Sequence, residues 1–152
     1  MSGAGRGSMT EGRVRTGLVL VVHGSYARQL LEAARTVVGP VAAGVVEVQA
    51  GASRADTKQR VAEAASEEER GAGVVLLVDV CGSTPANICL ELMALRPGIA
   101  VVTGLSLAML MKAATADEKL SAAELAAELH RSAQRSVQLG SELLHKGASG
   151  GC

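Results

Sequence analysis

His23 is the residue whose surroundings point most directly to chemistry. It ends the stretch Gly17-Leu18-Val19-Leu20-Val21-Val22-His23-Gly24-Ser25, in which no polar residue interrupts the apolar run. Such a run, without alternation, is a strand buried on both faces of a parallel sheet. Ligands of open α/β sheets sit just outside the carboxyl ends of the strands, and His23 stands at that address. A buried core histidine is the plainer reading, disfavoured by the strand-end position and the Gly-Ser that follows at once. A metal-ligand role lacks companions, since His130 and His145 lie far along the chain on the last helical pattern. A nucleophile or general base has what it needs.

Asp79 is the second polar residue at a strand end, closing the run Val74-Val75-Leu76-Leu77-Val78. Its ordinary role would be to cap a loop. Paired with His23, it accepts the Nδ1–H, fixes the tautomer and leaves Nε2 free to attack, while its charge stabilises a developing imidazolium. Next comes Gly82-Ser83-Thr84-Pro85. Thr84 suits an N-cap and Pro85 the first helical position. Unpaired N–H groups at a helix start favour an anion such as phosphate, and the hydroxyls of Ser83 and Thr84 add donors. Together these features describe a histidine that holds a phosphoryl group.

The elements that must position these residues alternate. Strands are expected at 17–22, 45–49, 74–78 and 99–103, with helices at 27–38, 53–69, 84–95, 107–114 and 121–144. Leu30, Leu31, Ala34, Val37 and Val38 form an apolar stripe closed by Gly39-Pro40. Val45-Val46-Glu47-Val48-Gln49 alternates in part, which suits an outer strand. Ser121 and Glu124 form a capping box for the last helix, whose stripe is Leu125, Leu129, Ala133, Val137 and Leu144. Strands alternating with helices imply an α/β, doubly wound, three-layer sandwich: a mainly parallel sheet of four strands with helices on both faces. If strand order reverses between the first and third strands, His23 and Asp79 share one crevice.

The 152 residues fit one domain over 16–146, with a disordered leader at 1–15 and a flexible tail at 147–152. Fifteen basic residues balance fifteen acidic ones, and one Tyr stands without Phe or Trp, which argues against nucleic acid as a partner. No apolar run reaches the roughly 20 residues of a membrane span, so no membrane insertion is expected. Three cysteines without a close cluster suit a reduced, cytoplasmic setting. Cys81 reads as a small apolar filler, Met109 and Met111 as packing residues, and His130, His145 and Glu67-Glu68-Glu69 as solvated helix residues.

Three stretches carry a family likeness: Val21-Val22-His23-Gly24-Ser25-Tyr26-Ala27 with Leu30-Leu31, then Val78 to Asn87, then Thr103-Gly104-Leu105-Ser106-Leu107-Ala108-Met109-Leu110. In this order and spacing the chain resembles the IIA component of the mannose/fructose/sorbose branch of the bacterial sugar phosphotransferase system. The resemblance implies that His23 is phosphorylated by the histidine-containing phosphocarrier protein and passes the group to a IIB component. It places the family aspartate on Asp79 and the phosphate-proximal hydroxyl on Thr84; Gly24, Gly82 and Ser83 are also expected to line the phosphate. It implies a homodimer and no metal or organic cofactor. An apolar docking surface is expected from Tyr26, Leu105 and Met109. The chain departs from the family pattern at Cys81, at Gly82-Ser83, and at Ser106 and Ala108, where the family commonly has Asn and Pro. The phosphohistidine subunit that feeds dihydroxyacetone kinase shares the fold and differs in its acceptor. Tetrapyrrole metal chelatases also open with His-Gly-Ser after an apolar strand. They require a second His or Glu ligand facing the first, and the first hundred residues show none.

Overall fold

The computed structural model describes residues 14–146; residues 1–13 of the leader expected at 1–15, and the tail at 147–152, lie outside the described residues, while Arg15 already opens the first strand. The apolar run before His23 is strand β1 (Arg15–His23), followed by α1 (Ala27–Val38), β2 (Gly44–Val48), α2 (Arg54–Glu68) and β3 (Gly71–Val78). Then come α3 (Thr84–Leu95), β4 (Ile99–Thr103), α4 (Leu107–Thr115), α5 (Ala122–Ser136) and α6 (Gly140–His145). The four strands are all parallel in the order β2-β1-β3-β4. The partly alternating β2 is therefore an edge strand, and the order reverses between β1 and β3, as the placement of His23 beside Asp79 requires.

Side-chain alternation along the central strands divides the core into two layers. Leu18, Leu20 and Val22 of β1 and Val75 and Leu77 of β3 pack with Leu31 of α1, Leu110 of α4 and Leu129 of α5. Val19, Val21, Val74, Leu76 and Val78 face the other way, onto Val61 and Ala65 of α2 and Ile88 and Leu92 of α3. Val19 to Val22 are fully buried. At about 1.5–3 kcal/mol for each large aliphatic side chain removed from water, β1 alone anchors both layers.

Gly73 sits where the bottom of β3 meets the turn before β4. Its φ is +89°, and a Cβ there would lie 2.3 Å from the Gly98 carbonyl oxygen and 2.9 Å from Ala122 Cβ. The close approach leaves room for the bond from Val74 N–H to that same carbonyl, at 2.9 Å. Only a residue without a side chain fits both the space and the backbone.

Two expectations fail here. The last helix does not run to Leu144: α5 ends at Ser136, the backbone is extended at Val137 and Leu139, and a separate short helix follows. Leu125 and Leu129 are buried, but Val137 is 82% exposed and Leu144 is also exposed, so beyond Ala133 the stripe meets no surface that would repay helix formation. Thr84 is not the N-cap of α3. Ser83 is, accepting from Ala86 N–H, and Thr84 is the first helical residue. Among the described residues no helix is long and apolar enough to cross a membrane.

Candidate functional site

Register brings the two strand-end residues together. Val21 of β1 pairs with Val78 of β3, and Asp79 N–H continues the ladder onto Val21 C=O at 3.3 Å. His23 and Asp79 thus leave adjacent strands side by side. Asp79 Oδ2 accepts the His23 backbone N–H at 2.9 Å, and Oδ1 lies 3.0 Å from His23 Nδ1. The ring is also 3.2 Å from Oδ2, and the Tyr26 hydroxyl donates to Oδ2 at 2.8 Å.

The carboxylate is almost enclosed, with 7% of the Asp79 side chain exposed against 48% for His23. Burial by itself would raise the Asp79 pKa. The His23 backbone N–H, the Tyr26 hydroxyl and the imidazole outweigh it and hold the carboxyl below its ordinary value. The Tyr26 phenol is pushed up to about 12 by burial first, then by its bond to Asp79 and by the carboxylate's charge. It is therefore a donor throughout the neutral range. An ionised carboxylate accepts only, so Nδ1 carries the proton and Nε2 carries the lone pair. Nε2 has no hydrogen-bond partner among the described residues, on a ring that is half exposed. The arrangement is a nucleophilic imidazole with an anionic orienter behind it.

The turn that carries the ring is fixed from the β2 side. Gly24, at φ +71°, donates its N–H to Val48 C=O at 3.0 Å, and Gln49 Nε2 donates to the Gly24 carbonyl at 3.2 Å. The Gly24 N–H is thus committed to β2. After Asp79, the loop reaches α3 through Gly82, at φ +81°. The Ser83 hydroxyl accepts from Ala86 N–H at 3.3 Å and donates to Val80 C=O at 2.7 Å, so it is committed to the loop and the cap. The N–H groups of Gly82, Ser83 and Thr84 have no partner among the described residues, as expected of a helix start open to an anion.

The expected docking trio divides. Met109 is fully buried in the core where α4 packs against α1 and α5; it is a core residue and not a surface one. Leu105 is half-buried against the same core, with its N–H bonded to Val78 C=O at 3.0 Å. Tyr26 is 43% exposed but turns its hydroxyl to Asp79. Cys81 is exposed and is not the filler expected of it; Cys89 fills that role, fully buried on α3, its thiol pushed up to about 12 by burial. Sequence reasoning missed two supports, the Tyr26 hydroxyl and Gln49. Tyr26 lies next to the Gly24-Ser25 turn and could have been flagged by that proximity, whereas nothing local marks Gln49. Among the described residues no three His, Cys, Asp or Glu side chains gather as a metal site.

Known proteins place the chain in a family by sequence and by fold. Residues 17–130 match a family model described as the PTS system fructose IIA component. The mannose/sorbose-specific IIA subunit of the phosphotransferase system from Enterococcus faecalis superposes with a TM-score of 0.75 at 30% identity, over 82% of this chain and 94% of that one. The EIIA component from Streptococcus agalactiae shares the fold with a TM-score of 0.74 at 22% identity, over 84% and 98%. A PTS IIA protein associated with the fucose utilization operon of Streptococcus pneumoniae does so at 0.72 and 19%, over 88% and 98%. No curated protein matches by sequence. With three-quarters of its length inside the family pattern and the same four-stranded architecture, this chain belongs to the mannose/fructose-type IIA components of the sugar phosphotransferase system, a family of phosphotransfer proteins.

Proposed function

We propose that His23 Nε2 accepts a phosphoryl group from the phosphohistidine of the histidine-containing phosphocarrier protein and delivers it to a histidine of a IIB component. The observation that carries this reading is the ring held through Nδ1 by Asp79, with Nε2 unpaired on a half-exposed imidazole. In the forward step the Nε2 lone pair forms the new N–P bond as the donor's P–N bond breaks, and the donor imidazole keeps the released electron pair. The Nδ1 proton stays between ring and carboxylate, which offsets the positive charge that grows on His23. The N–H groups of Gly82, Ser83 and Thr84 offer the phosphoryl oxygens donors, with the Thr84 hydroxyl beside them. Phosphoryl transfer asks a protein chiefly for positioning and charge stabilisation, which the Asp79-held ring and the start of α3 are proposed to supply. Tyr26, exposed with its hydroxyl on Asp79, and Leu105, bonded to Val78 just before Asp79, are the proposed docking residues.

The test is phosphorylation with phosphoenolpyruvate, the first enzyme of the system and the phosphocarrier, read by intact mass. The wild type gains one acid-labile phosphoryl group and the His23→Ala variant gains none. A variant that still takes the label, or a wild type that takes none, overturns the assignment. Chase with a IIB protein, and separately with the nucleotide subunit of dihydroxyacetone kinase, identifies the acceptor.

A further inference from the structure

We infer that Tyr26 is a positioning residue for this transfer: its phenol, donated to Asp79 Oδ2, fixes the carboxylate that keeps the His23 proton on Nδ1 and the reactive lone pair on Nε2. The inference rests on the phosphohistidine reading for its kinetic consequence and on geometry alone for its structural one.

The first observation is where Tyr26 sits. It occupies the N-cap of α1, its carbonyl accepting Leu30 N–H at 3.0 Å, and its side chain makes no capping bond. Helix starts strongly prefer a short side chain that bonds back to the first turn. Helices α2, α3, α4 and α5 all follow that preference, capped by Ser53, Ser83, Ser106 and Ser121. Only α1 and the short α6, with Leu139 at its N-cap, lack a side-chain cap among the described helices, and at α1 the N-cap hydroxyl is 2.8 Å from the carboxylate that holds His23. A local rule broken at a site of chemistry is the expected mark of a functional demand.

The second observation is how the carboxylate divides its acceptors. Oδ2 takes the His23 backbone N–H at 2.9 Å and the Tyr26 hydroxyl at 2.8 Å, while Nδ1 lies nearer Oδ1, 3.0 Å against 3.2 Å. Two donors anchored to the backbone and to α1 pin Oδ2 in place, which leaves Oδ1 for the ring. Without the phenol, Oδ2 keeps one anchored donor and the carboxylate is freer to turn about it. His23 of β1 and Tyr26 at the start of α1 are the titratable groups bonded to Asp79 among the described residues.

Tyr26→Phe tests this, because it keeps the ring as a surface and removes only the hydroxyl. In the unphosphorylated protein, nitrogen NMR of His23 and carboxyl carbon NMR of Asp79 are read first. The variant gains a larger Nε2–H fraction, and its Asp79 titration moves up in pH. Single-turnover transfer from the phosphorylated phosphocarrier then falls about tenfold at saturating carrier, the size of a lost hydrogen bond to a charged group, with KM unchanged. A tautomer ratio and rate equal to wild type overturn the inference, as does an effect confined to KM, which would make Tyr26 a docking residue. If the wild type itself takes no phosphoryl group on His23, the parent reading fails, and the two NMR measurements still decide whether Tyr26 positions Asp79.

Discussion

Asp79→Asn preserves the shape of the side chain and removes one acceptor, and the geometry dictates how the amide must settle. The backbone N–H of His23 cannot become an acceptor, and it points at the Oδ2 position from 2.9 Å. The amide carbonyl therefore takes that position, where the Tyr26 hydroxyl, 2.8 Å away, can also donate to it. The NH2 group then falls at the Oδ1 position, 3.0 Å from Nδ1. Two hydrogens cannot face each other, so Nδ1 becomes the acceptor and the proton moves to Nε2, where it blocks the nucleophile. The lost charge-assisted bond is worth about 1.5–3 kcal/mol. Loss of the carboxylate beside a growing imidazolium adds about 1–4 kcal/mol, toward the lower end because the ring is half exposed. Together they make about 4 kcal/mol, or roughly a 10³-fold slower transfer. Asp79→Ala removes the carboxylate without imposing the wrong tautomer, so its rate lies between those of wild type and Asn. Rapid-quench single-turnover transfer from labelled phosphocarrier measures the rates, and nitrogen NMR of His23 reports the proton. An Asn variant faster than the Ala variant, or one that keeps its proton on Nδ1, would refute the reasoning.

Two further outcomes follow from the same coordinates. Gly73→Ala places a Cβ 2.3 Å from the Gly98 carbonyl oxygen at φ +89°, and is expected to cost about 3 kcal/mol from overpacking and backbone strain together, read by urea denaturation; a loss below about 0.5 kcal/mol would contradict it. The carboxyl of Asp79 is held below its ordinary value, so it contributes stability that is fully present above the unfolded value of about 3.9 and is lost as pH falls through the lower folded value. Comparing unfolding free energies of wild type and Asp79→Asn from pH 7 down to pH 2 should show the gap close on the acid side; a gap independent of pH would exclude the linkage.

Much of this was legible in the residues themselves. The β-branched runs of β1 and β3 lack alternation because both faces are covered, and burial on both faces is what the structure shows for Val19 to Val22 and Val74 to Val78. The stripe of α1 and the capping box at Ser121 are local patterns, and local patterns determined those elements. Legibility stopped where a contact spans the chain. Met109 has the same composition and helical spacing whether it faces the sheet or a partner, and only the seating of α4 against α1 and α5 decides for the core. Cys81 and Cys89 are eight residues apart, yet the loop exposes the first and α3 buries the second. Val137 continues the helical stripe in sequence, but nothing among the described residues lies there for it to cover. Tyr26 reads as a surface aromatic until the backbone shows its hydroxyl reaching a residue 53 positions away.

The dyad owes its rigidity to the sheet more than to the loops around it. In a parallel pair, the N–H after Val21 that next faces β3 belongs to His23, and the regular ladder would send it to the backbone carbonyl of Asp79. The preceding rung is regular, Asp79 N–H to Val21 C=O at 3.3 Å. At His23 the acceptor is instead the Asp79 side chain, at 2.9 Å. The carboxylate has taken the place of the next carbonyl, so the last rung of the β1–β3 ladder is also the first bond of the site. Its other oxygen then lies beside the imidazole of the same residue whose backbone it binds. One substitution of a side-chain acceptor for a main-chain one therefore sets position and tautomer together. This requires β1 and β3 to be neighbours although α1, β2 and α2 intervene, which is what reversal of strand order at that point provides. A site anchored this way needs no closing loop to preorganise it, which suits the proposed transfer, in which the ring stays open to a donor protein and then to an acceptor.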